Sequence, residues 1–358
     1  MIFKTTSIIG LIIVGSIIFS SCSKESVQET SKQETRFTFD YELPSDLTQG
    51  ITQENGLMLF ESEKFLNKIT LLLETENQNY VEAYFNSKQA LSEDELDIQM
   101  ELDNFNPFTV YEAFEKYHSF YSLRANLKSQ EDDWMDSSST DELDNNPSFY
   151  PLSDKCQNIA NEEGEYMIGS TIYRVESDGL VYEIKNADYK ALESIRCGNS
   201  NLDLKNTNPN VIIHREEVRS SANGTKADCK SYIRRTGTYN YADKKKMDCI
   251  LDLDWDVTNS AAKAKAKCYK KVKRFGNWKW KRNWTSMGTS LCVKARDIDC
   301  EIKIQFGDHG LKCNSQSRNW AYFVTCHVYG AGVGFRVKPG EYGGVYKKSG
   351  YNDYSISW

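Results

Sequence analysis

Apolar positions in the first half of the chain recur with helical spacing. Leu57, Phe60, Phe65, Ile69 and Leu72 share one face between Asn55 and Glu74. Tyr111, Phe114, Tyr117, His118, Tyr121 and Leu127 share another between Phe108 and Lys128, after the helix starter Asn106-Pro107. A third helical stretch, Tyr80 to Leu102, breaks near Ser92, and Asp132 to Asn146 reads as an acidic, serine-rich loop. Beyond Pro151 the period shortens. Tyr166 to Val175 and Leu180 to Ile184 read as strands joined by the turn Glu176-Ser177-Asp178-Gly179.

The second half alternates with period two. If Asn259-Ser260 is a turn, Asp256, Asp254 and Asp252 oppose Lys263, Lys265 and Lys267. The other face then carries Leu251, Leu253, Trp255 and Val257 opposite Cys268, Ala266, Ala264 and Ala262. A charged ladder outside and an apolar face inside is how register is usually fixed. Asp252-Leu253-Asp254-Trp255-Asp256 is not a calcium loop, because Val257 and Lys263 stand where Gly and Glu are needed. The same strand turns again at Gly276-Asn277. Pairing Phe275 with Trp278 sets Lys273 opposite Trp280, Lys271 opposite Arg282 and Tyr269 opposite Trp284. By parity this aromatic and basic face is the solvent face. Further strands are expected at Ser290–Lys294, Cys300–Phe306, Trp320–Tyr329, Val333–Lys338 and Tyr354–Trp358. The expected class is α+β in two domains. A mainly helical N-terminal domain with a small β-hairpin precedes an all-β antiparallel sandwich or barrel.

Charge divides the chain the same way. Residues 1–204 carry −22 and residues 205–358 carry +15, within a total of −7 over 358 residues. The polar stretch Asn199 to Thr225 supplies the boundary. Ahead of both halves, Lys4 and the apolar run Ile8 to Phe19 read as an export signal, too short to span a bilayer. Phe19-Ser20-Ser21-Cys22 has the form of a lipobox with Cys22 as the acylated residue. The expected organisation is a signal peptide over 1–21, a polar tether over 22–50 and an acidic helical domain over 51–200. A linker over 201–227 and a basic, cysteine-rich β domain over 228–358 complete it. Such a protein sits in the cell envelope, lipid-anchored at the outer membrane, with the side it faces left open.

Nine cysteines follow Cys22: Cys156, Cys197, Cys229, Cys249, Cys268, Cys292, Cys300, Cys313 and Cys326. In an exported protein they are disulfide candidates, and three or more bridges are expected, mostly within residues 229–326. No C-x-x-C occurs. His309, Cys313, Cys326 and His327 do not make a convincing metal site, because neighbours on a strand point apart. No H-E-x-x-H, G-x-S-x-G or P-loop is present. Gly330-Ala331-Gly332-Val333-Gly334 runs into a strand-like segment, not a dinucleotide-binding helix. No cofactor or catalytic residue is expected.

Several stretches carry a resemblance: Phe19-Ser20-Ser21-Cys22, Asn106-Pro107-Phe108 with Ala113-Phe114, Phe120 with Ser122-Leu123-Arg124, and Gly164-Glu165 with Ile168-Gly169 and Ile172-Tyr173. Over about residues 1–200, and loosely beyond, the chain resembles uncharacterised exported lipoproteins of Bacteroidota. The resemblance implies a lipid-anchored protein and carries over no active-site residue.

The functional expectation rests on Tyr269, Lys271, Lys273, Phe275, Trp278, Trp280, Arg282 and Trp284. As a solvent-facing strip they suit a non-enzymatic binding protein for an acidic glycan or a protein partner. Nucleic acid is set aside as a partner for an envelope lipoprotein. Two bland accounts compete: the tryptophans pack under another element, or the acidic half covers the basic one. The other functional class is an envelope hydrolase acting on polysaccharide or peptide.

Overall fold

The computed structural model describes residues 41–137, 149–198, 207–214, 230–274, 277–294, 311–316, 321–329, 336–337 and 339–358. The expected signal peptide, Cys22 and much of the tether lie outside the described residues. So do Cys229, Phe275, Cys300, the strand expected at 300–306 and the glycines from 330 to 334.

Helix α1 spans Glu63–Asn86, and Ser62 caps it by accepting the Phe65 N–H at 3.2 Å. Leu57–Phe60, expected in the same helix, is instead strand β2. It pairs antiparallel with β1 (Thr52–Glu54) and parallel with β3 (Glu165–Ile168). Four consecutive apolar residues buried on both sides suit a sheet interior, and the chance 3.6 spacing to Phe65 hid this. The expected break at Ser92 is present: Ser92 and Glu95 form a full capping box that starts α2 (Glu93–Leu102). The single helix expected over 108–128 is two, α3 (Thr109–Tyr117) and α4 (Leu123–Ser137). Ser119, at φ +49°, turns the chain between them. Helix α4 also takes in Asp132–Ser137, which sequence assigns to a loop.

Gly169-Ser170 splits the expected strand 166–175 into the hairpin β3–β4, with β4 at Thr171–Val175. The Glu176–Gly179 turn to β5 (Val181–Ile184) forms as expected, closed by the Glu176 N–H to the Leu180 carbonyl at 2.8 Å. Gly179 sits at φ +92°, and a Cβ there would come within 2.4 Å of the Tyr232 ring. Strand β6 (Val211–His214), inside the expected linker, completes a six-stranded sheet in the order β1 to β6. A helical turn α5 (Asp154–Gln157) and helix α6 (Tyr189–Arg196) complete the acidic half as described.

In the basic half, β7 (Arg234–Ala242), β8 (Lys245–Asp256) and β9 (Asn259–Arg274) run side by side. The far edge of β9 is shared by β10 (Asn277–Arg282) and, further along the strand, β13 (Phe323–Tyr329). A second antiparallel sheet has the order β12 (Leu311–Gln316), β11 (Met287–Val293), β14 (Tyr342–Lys348), β15 (Tyr354–Ser357). Met247, Cys249, Leu251 and Leu253 of β8, with Ala262, Ala264, Ala266 and Cys268 of β9, pack against Leu291, Val293, Tyr342 and Tyr346. The class is therefore α+β with an antiparallel sandwich at its C-terminal end, and among the described residues the sheets do not close into a barrel.

Both hairpin registers differ from expectation, each by an even step. Asp252 opposes Lys263, Asp248 opposes Lys267, and Asp254 opposes Ala261. The turn is at Val257-Thr258, with Val257 at φ +52°. In the next hairpin Trp278 opposes Lys273, Trp280 opposes Lys271, and Arg282 opposes Tyr269. An even slip leaves every side chain on its face, so Asp254 and Lys265 still lie opposite Leu253 across the sheet. What fails is the exposure of the charged face. Asp252 and Asp254 are fully buried and Lys263 is 1% exposed, because the acidic half packs over them.

Candidate ligand clefts flanking strand β10

Helices α2, α4 and the turn α5 bring carboxylates onto the basic sheet. Glu131 of α4 meets Lys267 at 2.9 Å and Arg282 at 2.5 Å, and it accepts the Tyr269 hydroxyl. Asp132 pairs with Arg282 at 2.7 Å and Asp136 with Lys279 at 3.1 Å. Along α2, Glu93 holds Lys245 at 3.2 Å, Asp97 pairs with Lys270, and Glu101 holds Lys281 at 2.8 Å. Asp154 of α5 holds Lys265 at 2.7 Å, while Lys155 reaches back to Asp256 at 3.0 Å. Burial would push the Glu131 carboxyl up, but Lys267, Arg282 and the Tyr269 hydroxyl hold it well below the usual carboxylate range. Lys267 is pushed down to about 8 by its burial and by Lys265 and Arg282; Glu131, shared among three donors, restores only part of that loss.

This docking dismantles the expected solvent strip. Tyr269 is fully buried against Trp134 of α4, ring to ring at 5.3 Å. Trp284 is 7% exposed and packs on Phe85 and Tyr322 at 5.1 and 5.2 Å. Arg282 is tied to α4. Lys271 and Trp280 are half-buried, with the ammonium 5.0 Å from the ring centre. Only Lys273 and Trp278 reach the surface freely, and the Trp278 face is occupied by Lys244 at 4.1 Å. Phe275 lies outside the described residues. Parity separated the two faces correctly but could not say what covers each one.

Two clefts remain on either side of β10. One, of about 490 Å³, lies between α2, the β7–β8 turn and β10, with Ile98, Lys244, Lys271 and Trp278 in its walls. The other, of about 450 Å³, lies between α4, the loop after α2 and β10. Phe105, Phe108, Trp280 and Trp284 give it an aromatic wall, and Asp132, Asp136, Lys128 and Lys279 stand around it. Its cations are already engaged: Lys128 with Asp132 at 3.2 Å and Lys279 with Asp136 at 3.1 Å. The contributions of Phe105, Phe108 and Asp136 are missed by a reading confined to the basic half. The opposed charges of the two halves are the signal that points to them.

The cysteine expectation is corrected in part. Cys156, Cys249, Cys268 and Cys292 are free thiols, the first three buried. With four of nine uncombined, three bridges cannot form. Burial raises Cys156 and Cys268 to about 12, so both are inert, neutral groups at physiological pH. Among the described residues, no cluster of three His, Cys, Asp or Glu side chains is placed to hold a metal ion. No described helix is long and apolar enough to cross a membrane.

No family model matches the chain, and no curated protein matches it. Among solved structures it is similar to the crystal structure of a DUF4848 family protein from Bacteroides thetaiotaomicron. The two are 12% identical over 86% of this chain and all of the other, with a TM-score of 0.21.

Proposed function

We propose that this is a non-enzymatic binding protein held at the cell envelope through a lipid on Cys22, and that its ligand is a polyhydroxylated, glycan-like chain lying against β10. The observation that supports this most is the 450 Å³ cleft, with an aromatic wall and a rim of paired carboxylates and ammonium groups. Sugar rings stack on aromatic faces, and their hydroxyls both donate and accept, so a rim of both signs suits them. A polyanion fits less well. It would have to displace Asp132, Asp136 and Glu101 from the cations they already hold. The expectation of an acidic polymer therefore gives way to a neutral or weakly charged glycan. The hydrolase alternative gains nothing from Asp252 and Asp254, which are fully buried and line neither cleft.

A panel of neutral and acidic oligosaccharides titrated against the full chain tests the ligand class. Binding of a neutral member, weakly dependent on salt and reduced about tenfold or more in Trp280→Ala, is the expected result. Failure of every saccharide to bind, or binding that Trp280→Ala leaves unchanged, contradicts it. The anchor has its own test. Cys22→Ala should move the protein from the membrane fraction to the soluble one, because one lipid-bearing residue supplies the attachment. Persistent sedimentation with membranes would contradict the lipid reading.

A further inference from the structure

We propose that the small cavity where α4 and α5 meet the charged face of β9 binds a tetrahedral oxyanion, such as phosphate or sulfate. The cavity measures about 70 Å³, roughly the liquid volume of two waters at about 30 Å³ each. Its ionic lining is Arg124, Lys128, Lys265 and Lys267 against Glu131 and Asp154, an excess of two cations. The lining carboxylates are fully committed. Glu131 serves Lys267, Tyr269 and Arg282, and Asp154 serves Lys265 and the Thr325 hydroxyl at 3.0 Å. Glu115 and Asp132, which pair with Arg124 and Lys128, are not part of the lining.

Arg124 is the under-satisfied member. Its Nη2 donates to Glu115 at 2.7 Å, but its Nε and Nη1 are buried with no hydrogen-bond partner. The guanidinium lies 5.5 Å from the Phe108 ring centre and 5.3 Å from that of Tyr111. These rings hold it in place without supplying a lone pair in its plane. Buried donors without acceptors are costly, and a guanidinium fork matches the edge of a tetrahedral oxyanion. Lys267 is pushed down to about 8 mainly by its burial, with Lys265 and Arg282 adding to it, so an anion in the cavity would help to keep its ammonium charged. A bound oxyanion would give the buried Arg124 donors their acceptor and tie the helical half to the sheet. Phe108 and Lys128 wall both this cavity and the larger cleft, so the anion could be free or a substituent on a ligand lying there.

Calorimetric titration of the full chain at fixed ionic strength tests this, with inorganic phosphate in one arm and a sulfated monosaccharide in the other. Saturable binding in the millimolar range or tighter is expected in at least one arm, weakened about tenfold or more in Lys267→Met. Binding of the inorganic ion assigns the site to a free anion. Binding of the sulfated sugar, with neither the ion nor the unsulfated sugar binding, assigns it to a substituent. No saturable heat from wild-type protein in either arm overturns the proposal, whether or not the variant folds. Equal binding by wild type and a folded Lys267→Met overturns it too. Neither result depends on whether neutral glycans bind the cleft.

Discussion

Glu131→Ala should destabilise the protein by about 3–5 kcal/mol, as removal of one partner from a buried ion pair does. Glu131 is 1% exposed and is the shared acceptor for Lys267, Tyr269 and Arg282. Arg282 keeps Asp132 when Glu131 is lost, whereas Lys267 loses the carboxylate it meets at 2.9 Å. The cost comes from a buried ammonium deprived of its close carboxylate, more than from any single lost bond. Against a typical total stability of about 5–15 kcal/mol, that is a large fraction. Glu131→Gln should cost less, because the amide oxygen still accepts. Urea unfolding of the three proteins followed by tryptophan fluorescence checks the order. An alanine variant within about 1 kcal/mol of wild type would show the pair to be solvated.

The second large effect lies at Asp254. Its carboxylate meets the Lys263 ammonium at 2.7 Å, with the pair almost wholly enclosed. Asp254→Ala removes the carboxylate that Lys263 contacts, leaves it only the more distant Asp252 and Asp154 charges, and should cost up to about 3–5 kcal/mol. On the assumption that the charged ladder faced water, the same change would cost only about 0.2–1 kcal/mol, so the measurement separates the two pictures. Asp252, two residues back on the same face, behaves differently. Burial pushes its carboxyl up and the Asp254 charge adds to this, against the pull of Lys263 and Arg234. Asp254 is held down by Lys263 despite its burial. Asp252→Asn should therefore be far milder than Asp254→Asn.

The same difference gives a pH signature. A carboxyl raised in the folded state binds its proton more tightly there than in the unfolded chain. Its stabilising contribution is complete below the unfolded value of about 3.9 and is lost as pH rises through the folded value. Asp252→Asn removes that loss. The wild type should therefore fall relative to the variant as pH rises above about 4, by at most about 1.4 kcal/mol per pH unit. Glu131 and Asp154 have the opposite sign. Both are held below the usual range, so their contribution is present above about 4 and lost on acidification. Unfolding curves of wild type and Asp252→Asn that stay parallel across this range would contradict the assignment.

Face membership along β8 and β9 was legible because it depends only on parity. Register was not, because it depends on the turn. A β-branched Val257 at positive φ is an uncommon choice, and Asn259-Ser260 looks better suited to the place. The helix break at Ser119 was hidden for the same reason: nothing in Ser119 demands a left-handed backbone. The exposure of the charged face was misjudged because alternation distinguishes two faces without saying that either meets water. Here one face of β8 packs on the second sheet and the other under the helices, so all but the first residue of the strand are buried. The charge split between the halves was the visible trace of that packing. Carboxylates in α2, α4 and α5 and lysines in β8 to β10 are partners within one chain. The clefts beside β10 were only half legible, since one wall of each comes from the acidic half.

Lysine acylation of the native protein, mapped by mass spectrometry, tests that masking most directly. Acylation needs a neutral amine, so Lys267, depressed to about 8, would be among the fastest to react if reagent could reach it. Covered by α4, it should stay unmodified together with Lys263 and Lys265, while the exposed Lys244 and Lys273 react. Modification of Lys267 in the folded protein at a rate matching Lys273 would show that the basic face is open and that the acidic helices do not cover it.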